Sequence, residues 1–200
     1  MRITYIILTF ICTSTAAFSQ NTRNQRVDTI PFVLTSHHNI VIETVVNKTD
    51  TVQLMFHTAS GSVTLTEECS EKITSVTWRK GPQLNSWGGS SASRVSNTNS
   101  ISIHGLRWDS VTLWADQKSG PLSDGKFGPN LFRDRSIQFD FERNILLIGV
   151  ELPADSLKFT QHTLVTKNGE MYIEGICEID GIAYPNQYLI HSGYVGHIIL

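Results

Sequence analysis

Two segments far apart in the chain repeat one pattern, in which an apolar strand runs into histidine and then a small hydroxyl residue. The first copy spans residues 54–61 and the second spans residues 188–193. A duplicated unit implies two pseudo-symmetric lobes whose matching loops meet at one site. The repeat therefore predicts that His57 and His191 lie side by side.

The composition is that of an ordered domain. Of the 200 residues, 40% are hydrophobic and 17% are charged, which is enough apolar material for a core. The net charge of −2 gives no basic surface for a nucleic-acid partner. The sequence therefore indicates a folded protein that does not bind nucleic acid.

The first residues have the pattern of a secretory signal peptide. A basic residue precedes an apolar run at residues 3–11, and Ala17 and Ser19 stand at positions −3 and −1 of a cleavage site. The run is too short to span a membrane stably. We therefore expect a signal peptide at residues 1–19 and an exported protein, periplasmic or secreted.

Cys69 and Cys177 remain after this cleavage. An oxidising compartment permits a disulfide between them, and two unpaired buried thiols are the alternative. Two cysteines alone make no zinc signature.

From residue 30 onward the sequence predicts a mainly β fold. Short runs rich in valine, isoleucine, threonine and phenylalanine alternate with polar turns, which is typical of strands. The predicted strands are residues 30–34, 40–46, 51–56, 62–65, 100–104, 108–114, 136–141, 145–148, 159–165, 171–179 and 187–190. Helix is limited to one or two turns at residues 67–73, with Thr66 as the N-cap, and a first helical turn at residues 129–133.

We divide the mature chain into a flexible N-terminus at residues 20–29, a first lobe at residues 30–152 and the start of a second lobe at residues 153–200. We expect the second lobe to be incomplete, because the sequence stops within a strand-like run.

Residues 81–91 interrupt the strands with glycine, proline and serine, and they predict a mobile hairpin with Trp87 at its tip. An aromatic side chain on a flexible loop over a cleft is a candidate ligand contact.

Together these landmarks resemble the retropepsin/pepsin-like aspartic proteases, in particular the exported bacterial two-lobed aspartyl-protease-family proteins. In that family each lobe has a hydrophobic strand entering Asp-Thr/Ser-Gly, then a hydrophobic-hydrophobic-Gly element. Residues 55–58 and 189–193 resemble the two active loops, and residues 124–128 and 137–141 resemble the second element and its following hairpin. The resemblance implies a pepsin/retropepsin-like β-barrel lobe with the beginning of a second, pseudo-symmetric lobe.

The resemblance also implies a role for each motif position. His57 and His191 stand where the family has its catalytic Asp dyad, and Thr58 and Ser192 match the hydroxyl residues that lock the two loops together. The implied supporting residues are Gly61, Gly193, Asp124, Gly125 and Gly128, and the implied flap residues are Trp87, Gly88 and Gly89. Gly61 is displaced by two residues, so we expect a locally altered first loop.

Histidine cannot take over the chemistry of this family. Aspartic proteolysis needs two carboxylates that share one proton, one acting as base toward water while the other polarises the peptide carbonyl. Two adjacent imidazoles, each with an ordinary pKa of about 6.5, carry zero or one positive charge at neutral pH. We therefore expect no ordinary aspartic peptidase activity.

Three uses of the histidine pair stay open at this point. The imidazoles hold the loops together as hydrogen-bond donors, act directly as acid and base, or bind a metal such as Zn²⁺. A third metal ligand would come from His37, His38, His104, His162, His197 or Asp124, none of which stands at a diagnostic spacing. No other cofactor is implied.

We predict binding rather than peptide hydrolysis as the function. A peptide or another extended ligand would lie in the inter-lobe cleft between Trp87 and the loops of His57 and His191, pairing with backbone groups. The alternative is a hydrolase, either peptidase or esterase, that uses the histidine pair directly or through a bound metal. A homodimer formed through an exposed sheet edge is a third expectation.

Overall fold

The structure is a computed structural model that describes residues 27–86, 89–116, 120–150, 160–167 and 170–195. The predicted signal peptide at residues 1–19 lies outside the described residues. Strands dominate the described residues, so the predicted mainly β fold is confirmed.

The elements follow one another along the chain with short connections. The first are β1 (Asp28–Pro31), β2 (Val33–Leu34), β3 (Ile40–Val46), β4 (Asp50–Phe56), β5 (Val63–Thr66), α1 (Glu67–Lys72), β6 (Arg79–Lys80), β7 (Leu84–Ser86) and β8 (Gly89–Ser91). The next are β9 (Arg94–Ile103), β10 (Leu106–Asp116), β11 (Gly125–Phe127), a 3-10 helix (Pro129–Phe132), β12 (Ser136–Asp140) and β13 (Ile145–Gly149). The last are β14 (Leu164–Lys167), β15 (Glu170–Ile179) and β16 (Ile182–Leu189).

Six of these strands close into a barrel. Strands β3, β4, β11, β5, β10 and β9 are neighbours in that order, and β9 pairs back onto β3. The short strand β11 runs parallel to β4 on one side and antiparallel to β5 on the other. This insertion brings the end of β4, where His57 follows, against the end of β11.

Alternating apolar side chains fill the barrel, as the period of two in a strand requires. Leu54 and Leu65 are fully buried, and the rings of Phe56 and Phe127 pack edge to face with centroids 5.5 Å apart. Each such side chain contributes roughly 1.5–3 kcal/mol on burial. The core therefore gives the end of β4 a rigid support.

Two three-stranded sheets lie outside the barrel. One has the order β1-β13-β12, and the other is the meander β14-β15-β16 that leads to His191. Strand β16 is longer than the predicted strand at residues 187–190. Its middle contains Pro185 and Asn186, which are poor strand formers, and pairing with β15 overrides their local preference.

The predicted helix with its Thr66 cap is confirmed. The Cys69 backbone N–H donates to Thr66 Oγ1 at 3.1 Å, and Glu67 and Glu68 occupy the first turn, where acidic residues are favourable.

The two cysteines among the described residues are free thiols. Cys69 is buried and Cys177 is half-buried. Burial raises the pKa of the Cys69 thiol to about 12, which makes it a packing residue rather than a nucleophile.

No helix among the described residues is long and apolar enough to cross a membrane.

A candidate binding site at the paired histidines

Strands β4 and β16 end at matching loops, and each loop begins with a histidine. The His57 N–H donates to the Phe127 carbonyl at 2.8 Å, and the His57 carbonyl accepts from Ser60 N–H at 3.0 Å. In the second loop the His191 carbonyl accepts from Tyr194 N–H at 3.2 Å. The two copies of the sequence repeat therefore form the same kind of turn.

Thr58 and Ser192 join the loops through four reciprocal hydrogen bonds. Thr58 Oγ1 donates to the Ile190 carbonyl at 2.5 Å and accepts from Ser192 N–H at 2.9 Å. Ser192 Oγ donates to the Phe56 carbonyl at 2.7 Å and accepts from Thr58 N–H at 2.9 Å. Each hydroxyl thus uses both its donor and its acceptor capacity, and the contact is pseudo-symmetric.

Asn39 adds a fifth hydrogen bond between the two loop regions. Its side-chain Nδ2 donates to the Ser192 carbonyl at 2.9 Å, although Asn39 follows the short strand β2 of the first lobe. Asn39 is buried, with 1% of its surface exposed. The sequence analysis missed this residue, because a single polar residue between two strands looks like an ordinary turn.

The hydrogen bonds that join the two loops bring the two imidazoles into contact. The rings of His57 and His191 have centroids 4.5 Å apart and planes inclined by 63°. Nδ1 of each ring is buried and has no hydrogen-bond partner among the described residues. Among the described residues, the hydrogen bonds that join the loops come from the two hydroxyls and Asn39, and none comes from an imidazole Nδ1.

Both imidazoles are held in their neutral form. Burial first, then the repulsion that a proton on His57 would meet from a protonated His191 and from the Lys126 ammonium, lowers the pKa of His57 to about 4. The pKa of His191 is also lowered, mainly by burial. Near neutral pH the pair consequently carries no charge, and each ring offers one N–H donor and one nitrogen acceptor.

Lys126 is the charged residue of this site that the sequence analysis missed. It lies on β11, one position before Phe127, whose carbonyl accepts from His57. Burial lowers the pKa of its ammonium, and its charge acts on both histidines. The available signal was a lysine within the Gly-Lys-Phe-Gly run, where the resembled family has an apolar residue.

Gly193 and Gly128 allow the close contacts of the site. A Cβ at Gly193 would lie 2.2 Å from His57 Cδ2, and one at Gly128 would lie 1.6 Å from the Ser60 carbonyl oxygen. Gly61, by contrast, is exposed and a Cβ there would meet nothing within 4 Å. The expected supporting role of Gly61 is therefore not seen, because Ala59 and Ser60 form the turn in its place.

Asp124 and Gly125 stand at the other end of β11. Asp124 Oδ2 accepts from Gln53 N–H at 2.7 Å, and the Asp124 carbonyl accepts from Thr66 N–H at 2.8 Å, which joins β4 to β5. Gln53 precedes His57 by four residues, about 13 Å along a strand. Asp124 thus supports the barrel and is not a partner of the histidines.

The described residues contain no group of three or more His, Cys, Asp or Glu side chains placed to hold a metal ion. His37 and His38 lie in an exposed turn, and His104 and His162 are exposed elsewhere. His197 lies outside the described residues. The pair His57 and His191 thus has no third ligand within the described part of the chain.

The hairpin β7-β8 occupies the predicted flap segment. Trp87 and Gly88 lie outside the described residues, and Gly89 has a left-handed φ of 99°. Ser91, the last residue of β8, donates through Oγ to Asp116 Oδ1 at 2.5 Å. This bond fastens the base of the hairpin to β10.

Known proteins resemble this chain in structure but not in detectable sequence. No protein-family model matches it, and no curated protein does. Among solved structures, a retropepsin-like aspartic protease from Rickettsia conorii matches with a TM-score of 0.42 and 17% identity, over 62% of this chain and 93% of that protein. The EIAV protease in complex with an inhibitor matches with a TM-score of 0.39 and 13% identity, over 48% of this chain and 86% of that protein. Identities below 20% and TM-scores below 0.5 carry no information about activity.

Proposed function

We propose that this chain is an exported aspartic-protease-like protein that binds an extended peptide over the paired histidines and does not hydrolyse peptides by the aspartic mechanism. The observation that carries the proposal is the set of four hydrogen bonds that Thr58 and Ser192 make across the loop contact. It holds two loop ends together, while Nδ1 of each imidazole has no hydrogen-bond partner among the described residues.

The charge state of the pair argues against the aspartic mechanism. That mechanism needs one ionised and one protonated carboxyl group on the same pair. His57 and His191 are both neutral near pH 7, since their pKa values are lowered by burial. A neutral pair supplies no anionic base that shares a proton with its partner.

Binding of an extended peptide needs only backbone pairing and a shaped surface. A strand-like ligand bonds to exposed edges and hairpins through its main chain, with side-chain pockets adding specificity. The hairpin β7-β8 and the histidine loops offer such backbone next to one another in the fold that the resemblance implies. The signal-peptide pattern at residues 1–19 supports export.

The test is retention of peptides from a mixed pool. The mature protein, from residue 20, would be incubated with blocked octapeptides of mixed sequence, and retained peptides identified by mass spectrometry. We expect a defined subset to be retained with intact masses. A pool that passes through unretained would overturn the binding proposal.

A hydrolase is the second candidate, and one observation favours it. A neutral imidazole can act as base and an ammonium group as electrophile toward an activated ester, and the charge of Lys126 acts on His57. In this case p-nitrophenyl acetate would be hydrolysed by the protein and not by its His57→Ala variant. Cleaved masses in the peptide pool would favour this candidate over binding.

A further inference from the structure

The site contains one positive charge, that of Lys126, whose ammonium is partly buried. In the barrel, Lys126 pairs with Met55 of β4 and with Thr64 of β5. Side chains of paired strand residues lie on the same face, so Lys126 shares its face with Met55, two residues before His57. Lys126 is only partly exposed.

The ammonium of Lys126 makes no hydrogen bond and no ion pair with any described residue. Asp116 of β10 is the acidic group whose charge acts on it, and Asp116 is 4% exposed and already accepts the hydrogen bond from Ser91. A partly desolvated ammonium is costly unless it is paired. An ammonium without an ion pair, on the same strand face as Met55 and acting electrostatically on two imidazoles, is an arrangement that a bound anion would complete.

We propose that this site binds a carboxylate of the peptide ligand, held by the Lys126 ammonium with the imidazole N–H groups of His57 and His191 as further donors. The inference rests on the proposed function and names its ligand as an acidic peptide. In this site the protein supplies the positive charge and the ligand supplies the negative charge.

A carboxylate fits the site better than a doubly charged phosphoryl group. Lys126 is the one cation whose charge acts on both imidazoles among the described residues, and Asp116 already offsets part of that charge, so a ligand with a single negative charge fits better than one with two. A dianion would leave one charge uncompensated in a partly buried site, and Asp116 would add repulsion. The three donors also match the lone-pair sites of one carboxylate.

The test compares two blocked hexapeptides that differ at one central position, glutamate or glutamine, flanked by valine and threonine. Their affinities for the mature protein would be measured by calorimetry at pH 7. Charge-assisted hydrogen bonds are the strong ones, so we expect the glutamate peptide to bind at least about tenfold more tightly. Lys126→Met should bring the two affinities to about the same value, and Lys126→Arg should keep the preference.

Each outcome decides between the two proposals. Equal affinities for the two peptides in the unmodified protein, or a preference that persists in Lys126→Met, would overturn the carboxylate site and leave peptide binding intact. Failure of both peptides to bind would overturn both proposals. Far-ultraviolet circular dichroism of Lys126→Met and Lys126→Arg verifies that each variant is folded, and Lys80→Met, at an exposed lysine of β6, is the control for loss of surface charge.

Discussion

Thr58 and Ser192 are separated by 134 residues in the sequence, and each donates one hydrogen bond across the loop contact and accepts one. This relationship fixes the second histidine loop on the end of β4. The repeated His-hydroxyl pattern accounts for this contact, since each copy of the pattern supplies one of the two hydroxyl groups.

Removing the Thr58 hydroxyl should weaken this contact. Thr58→Val keeps the side-chain shape but leaves the Ile190 carbonyl and the Ser192 N–H without their partner. We expect the free energy of unfolding to fall by about 1–3 kcal/mol, together with faster hydrogen exchange at the Ser192 amide. Thr166→Val, at an exposed position of β14, is the matched control. An unchanged rate of hydrogen exchange at the Ser192 amide would show that the hydrogen bonds between Thr58 and the second loop are not formed in solution.

Gly193→Ala should disturb the histidine pair directly. The added Cβ would lie 2.2 Å from the His57 ring, so either the ring or the loop has to move. We expect a loss of about 1–3 kcal/mol in unfolding free energy and a changed chemical shift of the His57 ring. Gly61→Ala serves as control, because its Cβ would meet nothing within 4 Å. Equal effects of the two substitutions would contradict the close approach of Gly193 to His57.

Stability should fall on mild acidification because of His57. Its pKa in the folded protein, about 4, lies below the value of about 6.5 for an unfolded chain, so the unfolded state takes up the proton first. The contribution is fully present above about pH 6.5 and is lost as the pH falls from about 6.5 to about 4. We expect a loss of roughly 2 kcal/mol, less than the full shift because the ring keeps some solvent contact.

Urea unfolding at several pH values measures this loss, in the unmodified protein and in His57→Gln. The variant should be less sensitive to pH over that range, whereas His104→Gln, at an exposed histidine, should behave as the unmodified protein does. Parallel pH profiles for His57→Gln and the unmodified protein would contradict a neutral, buried His57.

Lys126→Met should stabilise the free protein. Burial of an ammonium without a partner costs free energy, and methionine fills similar volume without that cost. We expect an increase of about 1 kcal/mol in unfolding free energy, measured by urea unfolding at pH 7. A stability gain together with a loss of ligand preference is the usual signature of a functional residue. A decrease in stability would instead indicate that Lys126 has an internal partner.

Much of the fold could be predicted from local pattern. Strand β3 has the predicted bounds, and the Thr66 cap was predicted because a hydroxyl residue precedes two glutamates. Strands β9 and β10 extend beyond the predicted runs at residues 100–104 and 108–114. The residues added to β9 are mostly serine, asparagine and threonine, whose strand conformation comes from pairing with β10 and, at Ser96 and Asn99, from burial as well.

Only the residues of the site that belong to the sequence repeat could be predicted. The repeat brought together His57, Thr58, His191 and Ser192, because equal motifs fold into equal loops. Asn39 and Lys126 belong to no repeat, and only the barrel closure and the insertion of β11 bring them to the loops. Asp124 was grouped with the site by its position in a motif, but a parallel strand places it at the opposite end of β11.

The central claim is that the paired histidines contact the ligand and do not cleave it. The most direct measurement is the nuclear magnetic resonance titration of the Hε1 signals of His57 and His191 with a peptide retained from the pool. We expect both ring signals to shift saturably while the peptide keeps its mass and the signals of exposed His104 stay unchanged. Unperturbed His57 and His191 signals at saturating peptide, or a peptide cut during the titration, would contradict the account.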